Sequence, residues 1–211
     1  MTLTGHSVKI FIVKIFISVL IIIFSLQSWT KADDINDLQI EGISLNDDAL
    51  EHFSKEKLDT NKGYYPKSKK IWRSLIVLEN NEYNSLQIHM KLENNKYIIV
   101  GVAGLIYFFD KINSKEKCIE QRNQIIDDLK YSLKTAKLSK DEKDIVHGDK
   151  SGKSYVQSRF FDFKDDNSEY VKVACTFFSE EYSKKKGWTD YLRGGITSTE
   201  LHNWLRESAY E

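Results

Sequence analysis

The stretch LQIHMKLENNKYIIVGVAGLIYFF, residues 86–109, decides the fold class of this chain. Leu86, Ile88, Met90 and Leu92 alternate with Gln87, His89 and Lys91. That period of two turns the four apolar side chains to one face of a strand and puts His89 on the polar face. Asn94-Asn95 breaks the alternation; Asn tolerates the positive φ that a two-residue hairpin turn requires. The run 97–109 therefore folds back antiparallel on the first strand. Gly101 and Gly104 interrupt it and mark a bulge or a close backbone approach. Upstream, residues 71–79 are rich in Ile, Leu and Val and end in the turn Glu79-Asn80-Asn81-Glu82. The connections are too short for parallel crossovers, so these three strands form an antiparallel meander.

A second meander is expected downstream, in strands at 155–164, 170–178 and 191–197, with Asp165-Asp166-Asn167 turning between the first two. A helix at about 114–138 separates the two meanders. Ile125, Leu129, Leu133 and Ala136 recur there at three- and four-residue steps, behind a capping-box spacing of Asn113 and Glu116. Residues 139–151 read as a polar linker, and 179–188 as a loop carrying Lys184-Lys185-Lys186. Ahead of the first meander, 33–42 is an acidic lead-in. Ser44 and Asp47 are spaced as a capping box before Leu45, Leu50 and Phe53, and Ser54 caps a short turn through Leu58. Gly63-Tyr64-Tyr65-Pro66 is a break holding the only proline. Thr197 and Glu200 cap a last helix with Leu201, Trp204 and Leu205 on one face. The order α-βββ-α-βββ-α is an α+β fold with helices packed on one face of an antiparallel sheet. It reads as one domain over 33–211, with pseudo-repeats at 41–110 and 111–206.

Residues 1–32 differ from the rest. Lys9 and Lys14 precede the apolar run IFISVLIIIFSL, residues 15–26, and Thr30 and Ala32 are placed for signal cleavage. The run is short for a spanning helix, which needs about 20 apolar residues. The alternative is an uncleaved anchor starting at Ile10 and tolerating Lys14. No Cys is present there for lipid attachment. The whole chain of 211 residues balances 31 basic against 31 acidic side chains. Removing 1–32 takes away Lys9, Lys14 and Lys31 and no acid. That leaves 179 residues with 28 basic side chains against 31 acidic, a net charge of −3. Such a chain has no basic excess for nucleic acid. With 41% apolar and 12% aromatic residues it is not disordered, and two cysteines do not make a disulfide-dense miniprotein. Localisation is expected to be periplasmic or secreted, with no stable membrane insertion after cleavage.

Export places Cys118 and Cys175 in an oxidising compartment, and two cysteines allow one intramolecular pairing. Cys118 falls in the long helix. Cys175 shares a strand face with Val171, Val173 and Phe177, so both sulfurs turn toward a core. Two separate buried thiols remain the alternative. A bridge across this loop contributes about 4 kcal/mol in the chain-entropy model.

The helix-then-three-strands order, with Gly42-Ile43-Ser44 entering the first helix, resembles small envelope modules of the beta-lactamase-inhibitor-like and outer-membrane-assembly-lipoprotein type. The lipidated Cys of the latter is missing. Ile40-Glu41-Gly42-Ile43-Ser44-Leu45, Asp149 to Ser154 and Gly187-Trp188-Thr189-Asp190, behind the leader, also resemble uncharacterised exported proteins of AT-rich marine bacteria. The usage of 26 Lys to 5 Arg fits such a genome. This resemblance implies export and no assigned activity.

Residues that could carry chemistry are scattered. Asp149-Lys150-Ser151-Gly152-Lys153-Ser154 ends like a phosphate-binding loop. However, His147 stands where the motif needs Gly, and a strand rather than a helix follows. His52, His89, His147 and His202 show no metal-ligand spacing. No GxSxG or SxxK set is present, and Ser132-Leu133-Lys134 and Ser183-Lys184 read as surface. Asp127-Asp128, Asp165-Asp166 and Glu180-Glu181 are adjacent pairs that do not face each other. Residues 162–167 offer oxygens for calcium but no Gly. Lys67-Ser68-Lys69-Lys70 beside Tyr64, Tyr65 and Trp72, and Lys184-Lys185-Lys186 beside Tyr182 and Trp188, read as solvated loop charge. The expectation is a non-catalytic envelope protein that binds an envelope protein or polymer, with no cofactor or metal. The alternatives are an exported hydrolase using His52 or His147, and a small-ligand binder lined by Tyr64, Tyr65, Trp72 and Trp188.

Overall fold

A computed structural model describes residues 34–79, 81–166 and 168–210. The leader reading at 1–32 lies outside them. A 3-10 turn (Ile35–Asp37) and two short helices, α1 (Ala49–His52) and α2 (Lys55–Thr60), precede β1 (Lys62–Tyr64), β2 (Ile71–Val77), β3 (Ser85–Glu93) and β4 (Lys96–Phe108). The long helix α3 (Ser114–Ser132) follows, then β5 (Lys137–Leu138), β6 (Glu142–Ile145), β7 (Tyr155–Asp162) and β8 (Tyr170–Phe177). Helix α4 (Glu180–Lys186), β9 (Asp190–Thr197) and α5 (Thr199–Glu207) complete the fold. The fold is α+β, and all the strands join one antiparallel sheet in the order β1-β2-β3-β4-β9-β8-β7-β5, with β6 also on β7.

The β3–β4 hairpin forms at Asn94-Asn95, where both residues take positive φ and Glu93 faces Lys96. The two meanders, β1–β4 and β5–β9, meet where β4 pairs with β9, and Gly104 faces Gly194 at that seam. A Cβ on Gly104 would collide with the Tyr83 ring, so the absence of a side chain lets that ring lie on the middle of the sheet.

One sheet face carries the main core. Trp72, Ile88, Met90, Val102, Leu192, Ile196, Val173 and Phe161 pack there with Ala49, Leu58 and Ile126 from the helices. The last helix departs from the expected one-face arrangement. Leu201 and Trp204 of α5, with Ala209, join Ile71 and Val100 in a second cluster. The cause is local. His89 pairs with Gly101 and Met90 with Ile99, so Val100 is an extra residue, a β-bulge. The bulge turns Val100 away from the main core, and the bare Gly101 admits the Leu201 side chain.

The disulfide forms: Cys118 of α3 and Cys175 of β8 are joined, with Cα atoms 6.0 Å apart. Several boundaries differ from expectation. Helix α3 stops at Ser132, and Asn113 is left-handed and makes no side-chain cap; the Ser114 hydroxyl instead donates to the Asp190 carboxylate. The expected linker 139–151 holds β6, and with β5 it forms one edge strand interrupted near Ser139. The pairing there shifts by one residue, between Leu138 facing Phe161 and Glu142 facing Ser158. Its polarity is that of an exposed edge. The expected break at Gly63 is the other edge strand, β1. The expected loop 179–188 holds α4, capped by Ser179 and closed by left-handed Gly187. The cap of α1 is Asp48, although the Asp47 carboxylate does accept from the Ser44 amide; the cap of α5 is Ser198.

Candidate functional site on the open sheet face

The sheet face opposite the main core is only partly covered. α5 packs on it beside β2 and β4 at one end, and the chain around α4 and Trp188 borders the other. Side chains on this face come from alternate positions, so the registers align them in ranks. One rank runs Arg73, His89, Gly101, Thr197 and Tyr170 across β2, β3, β4, β9 and β8. The next runs Leu75, Gln87, Ala103, Gly195 and Lys172, and the next Val77, Ser85, Leu105, Arg193 and Ala174.

A groove of about 750 Å³ opens on this face. Its apolar walls are Leu75, Leu105, Tyr107, Phe109, Trp188 and Tyr191, and Arg73 and Gln87 supply polar groups. Phe109 is 78% exposed and Trp188 48%, although both are large apolar side chains. Leu75 and Val77 extend the exposed apolar surface along β2.

Beside the groove, half-buried Tyr65 and buried His89 form a polar pair, with the phenolic oxygen 2.8 Å from Nε2. The Tyr65 ring meets Trp204 and Tyr210 edge-on. His89 is therefore not a surface residue as its alternation implied: α5 and the Tyr65 loop cover the polar face of β3 at this point. Burial, reinforced by the Arg193 and Arg73 guanidinium groups, pushes His89 down to about 3, so it is neutral. Its Nδ1 has no partner among the described residues. On β8, burial and then the charge of Arg193 push Lys172 down to about 8. The Lys172 ammonium lies 4.9 Å from the Phe160 ring centre.

The other sequence candidates disperse. His52 bonds the Asp47 carboxylate at 3.0 Å beside α1. His147 follows β6, and His202 packs edge-on against Tyr170. Among the described residues no group of three or more His, Cys, Asp or Glu is placed to hold a metal. In the Asp149 to Ser154 loop, the Asp149 carboxylate accepts from the amides of Ser151 and Ser154 and from the Ser151 hydroxyl. Those hydrogen bonds hold Asp149 well below the usual carboxylate range, and they occupy amides that a phosphate would need. Lys184 pairs with Glu180, and Lys70 lies 3.7 Å from Glu200.

Of the four aromatics expected to line a pocket, only Trp188 lines the groove. Trp72 is buried on the main-core face against Tyr97. Tyr65 belongs to the His89 pair, and Tyr64 stands exposed in edge strand β1. The groove residues that sequence reasoning missed include Arg73, Leu105, Tyr107, Phe109 and Tyr191. A signal was present for the first: Arg73 is a lone cation inside a strand-like apolar run, on the alternation opposite the core. Comparison with family models, curated proteins and solved structures finds no match for the chain.

Proposed function

We propose that the protein is an exported, non-catalytic binding module whose ligand seats in the groove of the open sheet face. The observation that carries this reading is the groove itself: large aromatic side chains stand exposed around a concavity, where a lone folded domain would ordinarily cover them. The leader pattern of 1–32 and the Cys118–Cys175 bridge support export. No helix among the described residues is long and apolar enough to cross a membrane. Among the described residues His52, His89 and His202 have separate partners, Asp47, Tyr65 and Tyr170, and this dispersal supports a binding role.

The test is titration of the purified full chain with a neutral solvatochromic dye. Saturable one-to-one binding is expected, weakened about tenfold, or roughly 1.4 kcal/mol, by Trp188→Ala or Phe109→Ser. Dye binding that ignores both substitutions removes the groove as the site. A panel of esterase, peptidase and glycosidase substrates should give no turnover; turnover that survives purification overturns the non-catalytic reading.

A further inference from the structure

The groove differs chemically from one end to the other. At one end Tyr107 and Tyr191 face each other across β4 and β9, with Phe109 and Trp188 beside them. At the other end Arg73 lies along Gly63, whose missing side chain leaves room for it, and both line the groove. No Asp or Glu is among the described residues lining the groove, and Arg73 meets no carboxylate and makes no hydrogen bond among the described residues. Between the ends stands half-buried Gln87 of β3, whose side-chain amide has no hydrogen-bond partner among the described residues either. An uncompensated cation at one end and an unpaired amide midway set what an occupant must bring. It needs an anion at its end and paired donors and acceptors along its length.

The registers give the groove its direction and length. Arg73 shares a rank with His89 and Gly101, and Tyr107 lies six residues farther along β4. That rise, at roughly 3.4 Å per residue, with two strand spacings of roughly 4.8 Å, makes a diagonal of about 22 Å. An extended peptide of about six residues spans it. The Arg73 end is closed. The Tyr65 ring lies 5.9 Å from the guanidinium and bonds His89, backed edge-on by Trp204 and Tyr210, and Leu201 of α5 lies over Gly101. The other end is open, where Phe109 is exposed. A chain lying in the groove therefore stops at Arg73 and is free to continue outward past Phe109.

Building on the groove reading above, we propose that the groove takes the extended, apolar C-terminal tail of a partner protein. The terminal carboxylate pairs with Arg73, whose guanidinium offers it planar paired donors. Gln87 exchanges hydrogen bonds with a peptide group of the tail, and the tail's apolar side chains pack on Leu75, Leu105, Tyr107 and Trp188. The two unpaired groups separate this occupant from others. An alkyl chain would leave the Gln87 amide covered and without a partner, and a neutral glycan would leave Arg73 without an anion.

The test is titration of the full chain with a pool of acetylated hexapeptides built from Ala, Val, Leu and Phe and free at the C-terminus. The tightest binder is then made as the acid, as the carboxamide, and as the flexible C-terminal end of a folded carrier domain. Dodecanoate and chitohexaose are titrated beside them. The acid peptide is expected to bind one to one, and the carboxamide, dodecanoate and chitohexaose about tenfold more weakly. The carrier should match the acid peptide to within about threefold. Arg73→Gln should weaken the acid about tenfold but the carboxamide less than about twofold, and Arg73→Lys, which keeps the charge, should weaken the acid only about threefold. Gln87→Met, of similar shape, should weaken both peptides about threefold without weakening dodecanoate, a split that a general loss of structure would not give. A carboxamide as tight as the acid, or Arg73→Gln binding the acid as the parent does, overturns the proposal. So does a pool with no binder, or a carrier that fails where the free peptide binds. Dodecanoate or chitohexaose binding more tightly than the acid peptide assigns the groove to a lipid or a glycan and overturns it as well. In all these outcomes saturable binding of the neutral dye persists and the groove reading stands; its absence in the parent protein fails the groove reading itself.

Discussion

The two meanders solve the same problem differently. In each, helical structure covers the main-core face of three or more antiparallel strands, and the last strands of the two, β4 and β9, pair at the seam. The second half uses one 19-residue helix and a covalent tie, from Cys118 in α3 to Cys175 in β8. The first half uses helices of 4 and 6 residues and no covalent tie. Hydrogen bonds hold it instead. The Asn46 amide donates to the Ile99 carbonyl and the Ile99 amide to the Asp47 carbonyl. The Asp48 carboxylate caps α1 and accepts from the Tyr97 amide, and the Ser74 hydroxyl donates to the Leu58 carbonyl. Helices this short do not persist alone, so the first half stays helical only because β4 and β2 grip it. The second could lose its tie and keep a helix.

The sharpest way to break the comparison is to remove the covalent tie. Cys118→Ala with Cys175→Ala is expected to lower stability by about 4 kcal/mol and the thermal midpoint by roughly 8–16 °C. Calorimetry of oxidised parent and double variant reads this directly. A shift of only a degree or two would show that α3 is held by its apolar stripe and not by the bridge.

The halves should also differ in their response to pH, because each holds one base whose charged form the open face resists. In the first half His89 is neutral, held at about 3 against an ordinary 6.5. Between those values the unfolded chain takes a proton that the native chain refuses, so stability falls as pH drops from about 6.5 toward 3. In the second half Lys172 is held at about 8 against an ordinary 10.5. From pH 8 to 10.5 the unfolded chain keeps a proton that the native chain has shed, so stability rises with pH across that window. The span corresponds to at most about 3 kcal/mol. Lys172→Met should flatten the alkaline limb and raise stability at pH 7, leaving the acid limb untouched. Denaturant midpoints measured from pH 4 to 10.5 check both limbs. An alkaline limb unchanged in Lys172→Met would mean the ammonium reaches solvent.

The sequence made the fold class legible for reasons that the halves again separate. Strict alternation at 86–92 and paired Asn at 94–95 are local signals, and the hairpin they imply formed residue by residue. The pairing of Cys118 with Cys175 was legible because only one partner was available. What stayed hidden depends on the far side of the sheet. His89 reads as exposed from its own strand, and nothing within β3 announces that Tyr65 and α5 cover it. Helix α4 was hidden by its charge, since Glu180 and the three lysines look like loop although they suit the first and last turns of a helix. β5 and β6 were hidden because an edge strand needs no apolar alternation. The groove was missed because its walls come from β2, β4, β9 and the Trp188 loop, brought together by the β4–β9 seam and not by any spacing in the chain.

The smallest expected effect tests whether the first half has a tie at all. Asp48 contacts both the start of α1 and β4, accepting from the amides of Leu50 and Tyr97 at 3.2 and 3.0 Å. Asp48→Ala leaves both donors without that acceptor, and a lost cap together with a stranded strand amide lowers stability by about 1–2 kcal/mol. Asp48→Asn keeps an acceptor oxygen and should recover most of the loss, which distinguishes a hydrogen-bonded clamp from an effect of charge. Combining Asp48→Ala with the cysteine double variant sharpens the comparison further. The two ties sit in different halves and share no partner, so their effects should add to within about 0.5 kcal/mol. A combined loss well beyond the sum would mean the seam at Gly104 and Gly194 transmits strain, and that the two halves hold each other as much as they hold their own helices.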